Sequence, residues 1–250
     1  MSLGLDVVLD LERGLSIDDL RERVTAYAVA TDYDDSLNIL NRRTGASLDL
    51  GNADHRTAVL AWLRQWGCRH LNRSSEVTSS AALGAWAHTW VPKLPDTARV
   101  ITELSTVEIT TVAVAYDHLA ETVAGARRLA TRDGLVTFGP TAAAKTMYAL
   151  RPNVCAPWDD PIRNGLGMGG NDAAYRTYLR LIALTLTKTT EQAGVAPEDL
   201  PALVGRSGSS PPKLIDEYLW MRITRVSPTI IRVDTAWARP IAGARRMPLA

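Results

Sequence analysis

The chain reads as an all-α protein, and three observations predict this. Apolar residues recur at helical spacing in long runs, Val59, Leu60, Leu63 and Trp66 in one, Leu179, Ile182 and Leu186 in another. Several runs open at capping residues, as at Ser16, Asn52 and Ser105, and others close at Pro or Gly. The β-branched run 107–119 lacks the strict alternation of a half-buried strand. The expected architecture is a helical domain over 1–226, as one unit or two lobes meeting near 120–170. A tail over 227–250, extended or partly disordered, follows.

In order, residues 2–15 read as a short strand or a first helix. Ser16-Ile17-Asp18-Asp19 is a cap, and 20–30 continues as helix. A short helix is expected at 36–40. Asn52-Ala53-Asp54 caps a helix over 55–71, with Arg56, Arg64, Arg69 and Arg73 along it. A helix over 81–90 carries Trp86 and Trp90 and ends before Pro92, and 96–104 reads as helical. The run 107–119 is rich in Val, Ile and Thr, so strand is its rival by propensity. Helix is preferred, because the run continues through 120–130 without a breaker. Further helices are expected at 172–193, 197–204 and 212–222.

Composition narrows the function classes. Of 250 residues, 46% are apolar and 22% charged, ordinary for a globular chain. With 28 Lys and Arg against 27 Asp and Glu, the net charge is only +1, so any nucleic-acid contact must rest on a local patch. No basic n-region precedes an apolar run, and no run reaches membrane-spanning length, so the expected setting is cytoplasmic, without a membrane. The two cysteines, Cys68 and Cys155, are expected to be unbridged and free of any cluster. His55, His70, His88 and His118 are dispersed, which predicts no metal site and surface or capping roles instead. No cofactor motif stands out: the glycines at 165–170 follow a helix rather than a strand.

The densest chemistry lies in 137–167, TFGPTAAAKTMYALRPNVCAPWDDPIRNGLG. Phe138-Gly139-Pro140 is a tight turn opening an alanine-rich helix over 141–150 that carries Lys145. Arg151-Pro152-Asn153 ends it. A short crossing leads to Trp158-Asp159-Asp160-Pro161, where Asp160 reads as N-cap and Pro161 as the first residue of a helix over 161–166.

This stretch resembles the helix-hairpin-helix DNA glycosylase superfamily, the group of endonuclease III and 8-oxoguanine glycosylase. Trp158-Asp159-Asp160-Pro161-Ile162-Arg163 falls where that family places its catalytic aspartate, and Thr141 where bifunctional members carry a lysine. Lys145 follows one helical turn later on the same face. The resemblance implies a divergent member with a central helix-hairpin-helix and monofunctional N-glycosylase activity on a modified or mispaired base, without lyase chemistry. It implies double-stranded DNA as partner. Asp159 is the first catalytic candidate, Asp160 its register neighbour, and Lys145 reaches toward the same groove. Gly139, Thr141 and Arg163 are the candidate nucleic-acid contacts.

Bland readings stand beside these. Asp159 or Asp160 is then an ordinary cap, Lys145 a solvated helix lysine, Gly139 a turn glycine, and Arg163 one half of an i,i+4 pair with Asp159. Two other functions fit the same residues: a binding module for nucleic acid or protein, or an enzyme acting on a small nucleoside-like molecule. A basic rim around Gly139 favours DNA, a flat one a binding module, a closed neutral pocket a small substrate. Asp159→Asn is expected to cost no more than about 1 kcal/mol, the range for a weakened cap.

Overall fold

The computed structural model describes residues 3–45, 47–128 and 133–224. The tail expected at 227–250 lies outside them. Helices dominate, as the periodicity predicts. The first five are α1 (Leu3–Arg13), α2 (Ile17–Ala30), α3 (Tyr33–Thr44), α4 (Ala53–Gln65) and α5 (Glu76–Trp90). Next come α6 (Thr106–Glu121), a hairpin of β1 (Val123–Arg128) and β2 (Asp133–Thr137), and α7 (Gly139–Leu150). The last are α8 (Asp160–Gly165), α9 (Asp172–Ala193), α10 (Leu200–Leu203) and α11 (Pro211–Thr224).

The caps act as the sequence suggests. The side chains of Ser16, Asn52 and Ser105 accept from the backbone N–H of Asp19, Asp54 and Glu108. At Ser105 the Glu108 carboxylate accepts from the Ser105 N–H at 2.8 Å, completing a capping box. Residues 106–121 are helical despite their β-branching. Ile109, Val112, Ala113 and Tyr116 are buried, and Thr110 and Thr111 hydroxyls fold back onto the carbonyls four residues earlier.

Four expectations need correction. The helix over 55–71 ends at Gln65, because Gly67 turns the chain at φ +91°. Residues 96–104 hold only a 3₁₀ turn, Ile101–Glu103. The helix expected to run on through 120–130 stops at Glu121, and Val123–Arg128 form the first strand of the hairpin instead. α8 opens one residue early: Asp159 is its N-cap, and Pro161 lies in the first turn.

The hairpin explains how the chain reaches α7. β1 and β2 pair antiparallel, with a register shift between Val123 and Gly125. The Ser79 hydroxyl donates to the Ala124 carbonyl, and a Cβ on Gly125 would stand 2.4 Å from Ser75 Cβ. The glycine thus lets β1 lie directly on the start of α5. The Phe138 N–H donates to the Thr122 carbonyl at 3.0 Å and closes the loop. The element before the Gly139 turn is therefore a strand, where the resemblance implies a helix.

One contiguous buried cluster draws on α2, α4, α5, α6, α7, α9 and α11, through residues such as Leu20, Trp62, Leu83, Val112, Ala143, Ile182 and Leu214. Ala142, Ala143 and Ala144 are fully buried in α7. Their small side chains let α6 and α7 approach closely, which fixes α7 beneath the site. No helix among the described residues is long and apolar enough to cross a membrane.

Candidate functional site

The six residues singled out in the sequence meet in one cleft. Gly139, Thr141 and Lys145 come from α7, Asp159, Asp160 and Arg163 from the start of α8. The volume is about 370 Å³, within the range of small-molecule sites. Trp66, Cys68 and His70, from the turn after α4, complete its lining.

Asp159 is delivered by a buried crossing. Val154, Cys155, Ala156, Pro157 and Trp158 are all buried, so their backbone polar groups need partners inside the protein. Two tyrosines of α9 supply hydroxyl donors: Tyr175 donates to the Ala156 carbonyl at 3.3 Å and Tyr178 to the Pro157 carbonyl at 3.2 Å. The Trp158 ring stacks on Tyr178, 5.1 Å between centroids and 9° between planes. The crossing is therefore clamped from below, and Asp159 emerges at a defined place.

The Asp159 side chain makes no capping bond. Its Oδ1 lies 3.0 Å from Lys145 Nζ. Lys145 itself donates to the Trp66 carbonyl at 2.6 Å, and its ammonium sits 5.0 Å from the Trp66 ring centroid. The lysine side chain is only 5% exposed and that of Asp159 29%. This settles the surroundings of Lys145, which is no solvated helix lysine. It is a buried cation whose carboxylate opens onto the cleft.

Arg163 is engaged within the protein. Its guanidinium donates to the Trp158 carbonyl and to the Thr141 hydroxyl at 3.2 Å, and it pairs with Asp160 rather than Asp159. Burial lowers its pKa, while Tyr116 and Asp159 oppose that fall. Arg163 thereby ties the start of α8 to the start of α7. Gly139 takes φ +72°, and the neighbouring Phe138 carbonyl accepts from His70 Nε2 at 2.8 Å.

Charge in the cleft is balanced: Lys145 and Arg163 face Asp159 and Asp160. Burial pushes the Cys68 thiol up to about 11, which disfavours the nucleophilic thiolate at neutral pH. No group of three or more metal-binding side chains occurs among the described residues. Trp66, Cys68 and His70 escape a reading of the sequence as a site. Gly67, in their midst, carried the one usable signal, since a glycine after a helical run marks a turn.

No family model, curated protein or solved structure matches the chain.

Proposed function

We propose that the protein is an N-glycosylase-like hydrolase that takes one nucleobase, with its sugar, into the 139–163 cleft. The observation that supports this is the Lys145–Asp159 pair: a carboxylate fixed beside a buried ammonium, at the head of a cleft of base-sized volume. N-glycosidic cleavage breaks the C1′–N bond with the electron pair leaving on the base, and the sugar becomes cationic. Asp159 stabilises that charge and accepts a proton from the water that adds to C1′. The departing base takes up a proton in turn. Lys145 anchors the carboxylate, which fits a monofunctional reaction without a lysine nucleophile. A modified or mispaired base is the easiest to extrude from a duplex.

The balanced charge of the cleft favours a second reading, a free nucleoside or nucleotide as substrate, since a duplex would demand a basic rim. One experiment tests both. Wild type and Asp159→Asn are incubated with lesion-bearing duplexes and with a nucleoside panel, and released base is measured. Release by the wild type, reduced on the order of 10²-fold in the variant, is expected. Equal release by both, or none by the wild type from either panel, removes Asp159 from catalysis and leaves a binding module.

A further inference from the structure

Behind the Lys145–Asp159 pair lies a second set of buried charges that the proposed reaction does not use. α11 carries Lys213, Asp216 and Glu217, all buried. Lys213 Nζ donates to Asp216 Oδ2 at 2.7 Å and to the Tyr27 hydroxyl at 3.2 Å. It stands 3.7 Å from Glu217, whose carboxylate is held by Arg206 at 3.0 Å.

The two sets share a wall. A cavity of about 10 Å³ is lined by Tyr27, Trp66, Lys145, Asp159, Lys213 and Asp216. Lys145, Asp159 and Trp66 thus face the cleft on one side and this cavity on the other. The Trp66 ring bridges the cations, with Lys145 Nζ at 5.0 Å and Lys213 Nζ at 5.9 Å from its centroid. The volume is that of about one water molecule, and the polar atoms around it suffice to bind one. Asp159 needs such support. It accepts no helix-capping bond, and its buried Oδ1 meets Lys145 as an ion pair without hydrogen-bond geometry.

We propose that Lys213 and Asp216 are positioning residues for Asp159, a charged layer coupled to its carboxylate across one small polar cavity. The catalytic meaning of this layer rests on the reading of Asp159 given above; the coupling itself does not. The competing account is that the α11 charges only fasten α11 to α2 through Tyr27.

The groups facing Asp216 are Lys213 on its own helix, Lys145 from α7, Asp159 at the start of α8, Tyr178 from α9 and, through Lys213, Tyr27 from α2. Burial pushes the Asp216 carboxyl up to about 6; Lys213 and Lys145 pull it down and Asp159 pushes it up. These opposite signs give the test. The Asp216 carboxyl carbon is followed by NMR against pH in the full chain, in wild type, Asp159→Asn and Lys145→Gln. Asp159→Asn is expected to weaken proton binding at Asp216 by about threefold or more, and Lys145→Gln to strengthen it by a similar factor. Simple loosening admits water and weakens it in both. An unmoved midpoint, or a fall in both variants, overturns the proposal. Should Lys145→Gln not fold, Asp159→Glu decides: a midpoint restored toward wild type supports the coupling, and one left at the asparagine value overturns it. Base release by Asp216→Asn is measured in parallel, with kcat expected to fall about tenfold or more at unchanged KM. If the wild type releases no base, the catalytic reading of Asp159 falls, and the titrations still decide the coupling.

Discussion

Asp159→Asn carries a stability consequence as well as a catalytic one. Asparagine keeps the shape of the side chain but removes the counter-charge of Lys145, whose side chain is only 5% exposed. Breaking a fully buried pair by removing one partner costs about 3–5 kcal/mol. Asp159 keeps 29% of its side-chain exposure, so water already screens part of the interaction. The Trp66 carbonyl at 2.6 Å continues to accept from the ammonium. The expected loss is therefore about 2 kcal/mol, which for a chain of this length lowers Tm by about 4–8 °C. That exceeds the about 1 kcal/mol expected of a weakened cap, and the structure shows why: the Asp159 side chain caps nothing.

A double-mutant cycle separates the two causes. Lys145→Met removes the buried cation, so adding it to Asp159→Asn leaves no orphaned charge. The double variant is expected to be at least about 1 kcal/mol more stable than the summed single losses. Thermal unfolding at pH 7, followed by circular dichroism on all four proteins, measures this. Additive losses, or a loss below about half a kcal/mol for Asp159→Asn, would refute the pairing argument. Base release must be compared well below the lower Tm, so that unfolding is not read as lost catalysis.

Gly139→Ala is expected to cost about 1–2 kcal/mol, because Gly139 sits at φ +72°. A Cβ there meets nothing closer than His70 Nε2 at 3.9 Å, so the loss is backbone strain, and chemical denaturation showing no loss contradicts it. Cys68 and Cys155 are free and buried, and burial pushes their thiols up to about 11 and about 12. Ellman titration should find both only after unfolding without reductant; fewer than two would reveal a bridge. Asp216 titrates near 6 folded against an ordinary 3.8. Its raised folded pKa means the native state holds the proton longer, so its favourable contribution is full below about pH 4 and is lost as pH rises through about 6. Between those pH values Asp216→Asn should therefore gain stability with pH more steeply than wild type, by up to about 1.4 kcal/mol per pH unit. Parallel urea-unfolding slopes would show that Asp216 does not titrate there.

The helices were legible where their determinants are local. Ser16, Asn52 and Ser105 start α2, α4 and α6 with bonds to residues two or three positions on. The hairpin was not legible, because what selects it lies far away. Residues 120–124 contain no breaker, and a helical continuation satisfies them locally. What favours the strand is docking on α5, through the Ser79 hydroxyl on Ala124 and the fit of Gly125 against Ser75, both about fifty residues earlier. Such contacts leave no mark on the local period.

The site divides along the same line. Gly139, Thr141, Lys145, Asp159, Asp160 and Arg163 lie within 25 positions, and a turn, a breaker and a cap suffice to bring them together. Trp66, Cys68 and His70 arrive from the turn after α4, and Lys213 and Asp216 from α11, through tertiary packing alone. Lys145 is the instructive case. Taken singly, a lysine in an alanine-rich helix reads as solvated. Its neighbours 142–144 and 146–148 are all small, apolar or aromatic, and all are buried. A helix without a polar face lies inside the fold. A lysine in its middle must then be buried too, and a buried ammonium demands a carboxylate. Within the following turn-and-cap segment Asp159 and Asp160 are the carboxylates on offer, and Asp160 is taken by Arg163. Lys145 and Asp159 are thus one requirement, not two independent candidates: burial of the lysine implies the acid at the mouth of the cleft.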